Sequence, residues 1–117
     1  MTQDKYREAL ADFDASIRLE SSFPGAYERI AWILATCPDD KFRSGEKAIK
    51  YATRGCALTS WQDPDQLATL AAAYAEAGDF TAARKWQAEA VNYAPEQYRS
   101  GFRKRLRMYQ AAKPLRD

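Results

Sequence analysis

The chain has 117 residues, 46% of them hydrophobic and 29% charged, with a net charge of +2 and no histidine. This length suits one domain, and this composition suits an ordinary folded one rather than a disordered segment. The missing histidine removes the commonest general base, every histidine-dependent triad and most zinc sites.

Residues 4–20 place Tyr6, Leu10, Phe13 and Ile17 on one helical stripe. Met1 to Leu10 is polar, so no signal peptide is expected there. Residues 24–36 repeat the helical spacing with Tyr27, Ile30, Ala31 and Leu34, and a return helix is expected over 45–59. Leu67, Leu70, Ala71 and Tyr74 mark a helix over 64–77. Asp63 is its expected N-cap, Pro64 its first residue and Gln66 the partner that closes a capping box. Gly78 supplies a left-handed residue at its end. Asp79 then caps a helix that carries Ala83, Trp86, Ala90 and Tyr93 and stops before Pro95. Residues 96–112 form a last helix with Phe102, Leu106 and Tyr109 on one stripe, and 113–117 read as a frayed tail. No run approaches the roughly 18 apolar residues of a membrane-spanning helix.

The helices repeat. With Ala9, Ala48 and Ala83 aligned, at spacings of 39 and 35 residues, Tyr6 matches Phe80, Ile17 matches Cys56 and Val91, and Leu19 matches Leu58 and Tyr93. The set Tyr27, Ile30, Ala31, Leu34 matches Leu67, Leu70, Ala71, Tyr74, and Pro24 and Pro64 each stand three residues ahead of their set. Ala71, Ala83 and Ala90 fall where two helices would touch, and small side chains there let the backbones approach.

Over residues 5 to 95 this pattern resembles the tetratricopeptide repeat, whose period is about 34 residues. The family's small positions match Ala31 and Ala71 in first helices and Ala9, Ala48, Ala83 and Ala90 in second helices. Its aromatic position matches Tyr74 and its closing proline Pro95. There are departures. Gln87 replaces an aromatic, with Trp86 beside it expected to fill the space. Ser21 and Ser60 replace the closing proline, and Ser16 and Gly55 replace an alanine. The longer loop from Cys37 to Gly45, preceded by AWILATCPDD, resembles a variant in large bacterial multi-repeat proteins. The resemblance implies an all-α fold, with antiparallel hairpins stacked as a short right-handed superhelix and a C-terminal capping helix. The expected units are a truncated repeat at 4–20, repeats at 24–59 and 64–95, a cap at 96–112 and the tail at 113–117, together a section of a longer protein.

Little in the sequence points to catalysis. No glycine-rich phosphate loop precedes a helix. Asp12 with Asp14, and Asp39 with Asp40, are too close in sequence to share a helix face, so neither makes an acid–base pair. Cys37 stands near the end of the first helix and Cys56 about ten residues beyond the turn, roughly 15 Å along the return helix, whereas a disulfide needs Cα atoms within about 7 Å. Two buried free thiols are expected, with no enzymatic activity, cofactor or metal.

In the resemblance the first helices line a concave groove, and the positions facing it are Glu28, Trp32, Ala35, Ala68, Ala72, Ala75 and Glu76. Family members that capture a peptide's terminal carboxylate carry Lys, Arg and Asn at matching positions, and none of those types stands here. A small-residue floor with one tryptophan and two acids suits an apolar or weakly basic peptide or helix of a protein partner. Two roles for Trp32 stand side by side, a groove contact and packing under the 37–45 loop. Residues 1–40 carry net −4 and residues 99–117 net +6. Arg99, Arg103, Lys104, Arg105 and Arg107 therefore offer an alternative, an anion or nucleic-acid contact, set against a plain solvated capping face. The uncovered first helix suggests self-association, and a purely structural spacer is the third alternative. Two unpaired cysteines and no signal favour a cytoplasmic setting.

Overall fold

Six helices follow one another among residues 3–116, the residues described by the computed structural model, and no strand occurs among them. They are α1 (Gln3–Leu19), α2 (Pro24–Thr36), α3 (Gly45–Leu58), α4 (Pro64–Glu76), α5 (Phe80–Tyr93) and α6 (Glu96–Gln110). Local chemistry accounts for most of their ends. Asp63 Oδ1 accepts from the backbone N–H of Asp65 at 2.9 Å and of Gln66 at 3.4 Å, with Pro64 leading α4. Asp79 accepts from the N–H of Ala82, and Ser44 from that of Lys47, at the starts of α5 and α3. Each cap satisfies an N–H that has no partner inside the helix. Gly78 turns the chain between α4 and α5 with φ +88°, a conformation that glycine adopts without steric cost.

Each helix packs against the next in the chain, and α2 also packs against α4. The radius of gyration, 13.4 Å, is about that of a single globule of this length. Ala31, Ala48, Ala52, Ala71, Ala83 and Ala90 are all fully buried between helices. Larger side chains fill in beside them, chiefly Ile30, Leu34, Leu67, Leu70, Phe102 and Tyr109. Gly55 has a specific reason to lack a side chain. A Cβ there would collide with Gln66 Oε1. Gln66 is itself buried and donates from Nε2 to the Pro24 carbonyl at 3.1 Å, tying α4 to the start of α2. The capping box expected of Gln66 therefore does not close, because its side chain serves this longer-range contact.

Gln87 is buried and donates from Nε2 to the Phe102 carbonyl at 2.9 Å, which joins α5 to α6. Trp86 does fill the neighbouring space, half-buried against the core and 5.2 Å from the Trp61 ring. Arg43 holds the 37–45 loop by donating to the carbonyls of Cys37 at 2.6 Å and Pro38 at 3.2 Å. Cys37 and Cys56 are free and buried, and burial pushes the Cys56 thiol up to about 12.

No residue of α1 is fully buried, and its stripe is only partly covered. Leu10, Phe13 and Ile17 pack partly on the core, and the Tyr6 ring meets Phe42 of the loop at 5.7 Å. Residues 113–116 of the expected tail are not frayed, and Asp117 lies outside the described residues. After Ala112, with φ +56°, Lys113 N–H donates to the Met108 carbonyl at 2.9 Å and turns the chain back across α4. Leu115 then packs against both apolar clusters of the core.

Candidate functional site

α2, α4 and α6 converge on a cavity of about 160 Å³. Glu28, Arg29 and Trp32 line it from α2, Asp65, Ala68 and Thr69 from α4, and Phe102 and Arg105 from α6. A wider cleft of about 540 Å³ adjoins it through Asp65 and Phe102 and is bounded by Asp63, Pro64, Pro95 and Tyr98. The two share Asp65 and Phe102 as a common border.

Its centre is a cation between rings. The Arg105 guanidinium lies 5.2 Å from the Trp32 ring centre and 5.4 Å from that of Phe102. Such stacking is worth about 0.5–1 kcal/mol at exposed sites and more where water is excluded. Trp32 thus meets α6, a contact between groups that the sequence placed in two separate candidate sites.

At one end Glu28 Oε1 accepts from Thr69 Oγ1 at 3.1 Å, and Glu28 Oε2 lies 3.7 Å from Arg29 Nε. Burial raises the Glu28 pKa above its ordinary value of 4.5. Thr69 and Arg29 oppose that rise, and the charges of Asp65 and Asp63 add to it. The native state then holds its proton to higher pH than the unfolded chain does, so stability falls as pH rises from below 4.5 through the raised value. Glu28→Gln keeps an acceptor for Thr69 and removes the charge. We expect a flatter stability–pH profile for this variant, with no loss of stability at neutral pH, measured by urea unfolding across the acid-to-neutral range.

Outside the cavity, about two turns beyond Thr69 on α4, Glu76 sits between two cations. Arg43 Nε lies 3.5 Å from Glu76 Oε2 and Arg116 Nη1 lies 2.8 Å from Glu76 Oε1. Glu76 Oε1 is buried and has no hydrogen-bond partner of suitable geometry, so the Arg116 contact is one of charge.

The expected groove residues separate into two groups. Glu28, Trp32 and Glu76 are partly accessible, and Glu28, Trp32 and Ala68 share the smaller cavity. All four alanines are buried at 1–2% exposure, and Ala35, Ala72 and Ala75 line neither cleft. They are packing between helices and not a floor open to a partner, because neighbouring helices come too close over so small a side chain. The five basic residues of α6 do not form one surface either. Arg99 donates to the carbonyls of Ala94 at 2.9 Å and Asn92 at 3.4 Å and so closes the end of α5. Arg105 lies on Trp32, and Arg103, Lys104 and Arg107 remain exposed. Asp65, Thr69 and Phe102 were not foreseen as neighbours of Trp32, nor Asp63 and Tyr98 as the edge of the adjoining cleft. Tyr98, at 60% exposure, carried the clearest signal, since a large ring is seldom left in water without cause.

Elsewhere, Leu19 and Phe23 are exposed at the turn between α1 and α2. No helix of the described residues is long and apolar enough to cross a membrane, and none of their Cys, Asp or Glu side chains gather as a metal site. No family model, curated protein or solved structure matches the chain.

Proposed function

We propose that the chain is a non-enzymatic protein–protein interaction module whose α2–α4–α6 face holds a partner peptide or helix. The observation that carries this is the pair of adjoining clefts, sharing Asp65 and Phe102, that run from Glu28 to Tyr98 with Trp32 and Phe102 as walls and three carboxylates at their edges. Aromatic walls provide apolar contact area, and Glu28, Asp63 and Asp65 favour a segment carrying Lys or Arg. Packing of each helix on the next, and of α2 on α4, supports tetratricopeptide-like hairpins stacking as the beginning of a right-handed superhelix. A rigid face of this kind binds without first having to be ordered. In this role the chain acts as one section of a longer scaffold.

The test is a chemical-shift titration of the labelled protein with a library of apolar-basic peptides at low and high salt. We expect salt-resistant shifts at Trp32, Thr69 and Tyr98, and Trp32→Ala should weaken binding at least about tenfold without loss of the cooperative melt. Steeply salt-sensitive shifts confined to Arg103, Lys104 and Arg107 would instead mark an anionic partner. No shifts in any titration would leave the module a structural spacer.

A further inference from the structure

Beyond the cleft, at the C-terminal end of α4, the surface around Glu76 is covered by the chain's own residues Leu115 and Arg116. Leu115 is half-buried against both apolar clusters, and Arg116 supplies the nearer of the two cations on Glu76. The two cations are held very differently. Arg43 is 17% exposed and fixed by two loop carbonyls. Arg116 is 37% exposed, and its one hydrogen bond is to the carbonyl of the adjacent Leu115. Glu76 Oε1 keeps an unfilled hydrogen-bonding capacity beneath it. Arg43 already pairs with Glu76, and nothing here requires that the second cation, over the buried Oε1 atom, be Arg116.

We propose that the 114–116 segment is a removable internal ligand, and that the partner's anchor has the same chemistry, an aliphatic residue followed directly by an arginine. This rests on the peptide-binding role of the face and names what part of the partner it reads. The aliphatic side chain takes the place of Leu115 on the core clusters, and the arginine takes the place of Arg116 on Glu76. An arginine with hydrogen-bonding geometry at Oε1 forms a stronger pair than the present charge contact. The tethered segment competes at an effective concentration on the order of millimolar, so only a partner with further contacts, such as those along the Trp32–Tyr98 cleft, displaces it.

The probe is a fluorescent, end-amidated peptide with the sequence of residues 111–116, read by anisotropy on the full chain. Arg116→Ser alone, and together with Leu115→Ser, should bind it at least about tenfold more tightly than the unaltered chain, because the tethered competitor loses its hold on Glu76 in the first and both of its anchors in the second. Adding Glu76→Gln to Arg116→Ser should remove that gain. Equal binding by the unaltered and Arg116→Ser chains, or binding that ignores Glu76→Gln, overturns the proposal. So does an Arg116→Ser chain that melts cooperatively and binds no peptide. If the double variant loses its cooperative melt, the single variant decides by the same criteria. Library peptides that still bind at Trp32 and Tyr98 while this probe fails would sink the internal ligand and leave the proposed function standing.

Discussion

Tyr109→Ala is expected to lower the melting temperature by roughly 15 °C, from a loss of about 4 kcal/mol at roughly 4 °C per kcal/mol for a domain of this size. Tyr109 is the largest fully buried side chain. It packs with Ala71 and Ala75 of α4 and Ala83 of α5, with Tyr74, Phe80, Trp86 and Leu115 around the same cluster. Its removal leaves a cavity that three alanines cannot fill, and the closing segment loses the surface on which Leu115 rests. The hydroxyl contributes nothing comparable. Oη is buried with no hydrogen-bond partner, and burial raises its pKa well above the ordinary range. Tyr109→Phe should therefore be neutral or stabilising by up to about 1 kcal/mol, because it removes a desolvated polar atom and keeps the ring. Thermal melts of both variants check the pair. A Tyr109→Phe chain as damaged as Tyr109→Ala would mean that the hydroxyl, and not the ring volume, holds α6 in place.

Gly45→Val is expected to cost about 2–3 kcal/mol, enough to shift the urea midpoint well below that of the unaltered chain. A Cβ on Gly45 would lie 2.6 Å from the Ala77 nitrogen and 2.7 Å from its Cα, where the start of α3 crosses the end of α4. Both contacts are backbone, so no side chain can turn away to relieve them. The helix-propensity gain from leaving glycine, less than about 1 kcal/mol, is too small to offset a forced separation of two helices. Gly101 provides the control, since a Cβ there meets nothing within 4 Å. Gly101→Ala should be stabilising by about 0.5–1 kcal/mol in the same measurement.

Leu67, Leu70, Ala71 and Tyr74 declared a helix by spacing alone, because one helical face must be apolar to be buried. The caps at Asp63 and Asp79 were equally legible, since an N-cap acts on N–H groups two or three residues away. The buried alanines were foreseen at Ala71, Ala83 and Ala90, where the repeat register put two helices in contact. Gln66 was misjudged because its two options, a local box and a bond to a carbonyl 42 residues away, look the same along the chain. Ala35, Ala72 and Ala75 show the same limit. Alanine is equally suited to a groove floor and to a close helix crossing, and only the approach of a neighbouring element decides between them.

What the sequence determined by itself was therefore the local part. It set the six helices, their turns, the small-residue contacts between consecutive helices, and the absence of the histidine on which most familiar catalytic sites depend. The tertiary structure alone decided which side chains share a site. Trp32 and Arg105 lie on helices far apart in the chain, and their stacking depends on how α6 settles over α2 and α4. The 113–116 segment is short and partly polar, so nothing in its own composition indicates order. It is ordered because α4 offers Glu76 and an apolar surface where α6 ends. Helix formation follows from interactions within a few residues, whereas the clefts and the covering of Glu76 follow from surfaces that exist only after the helices have packed.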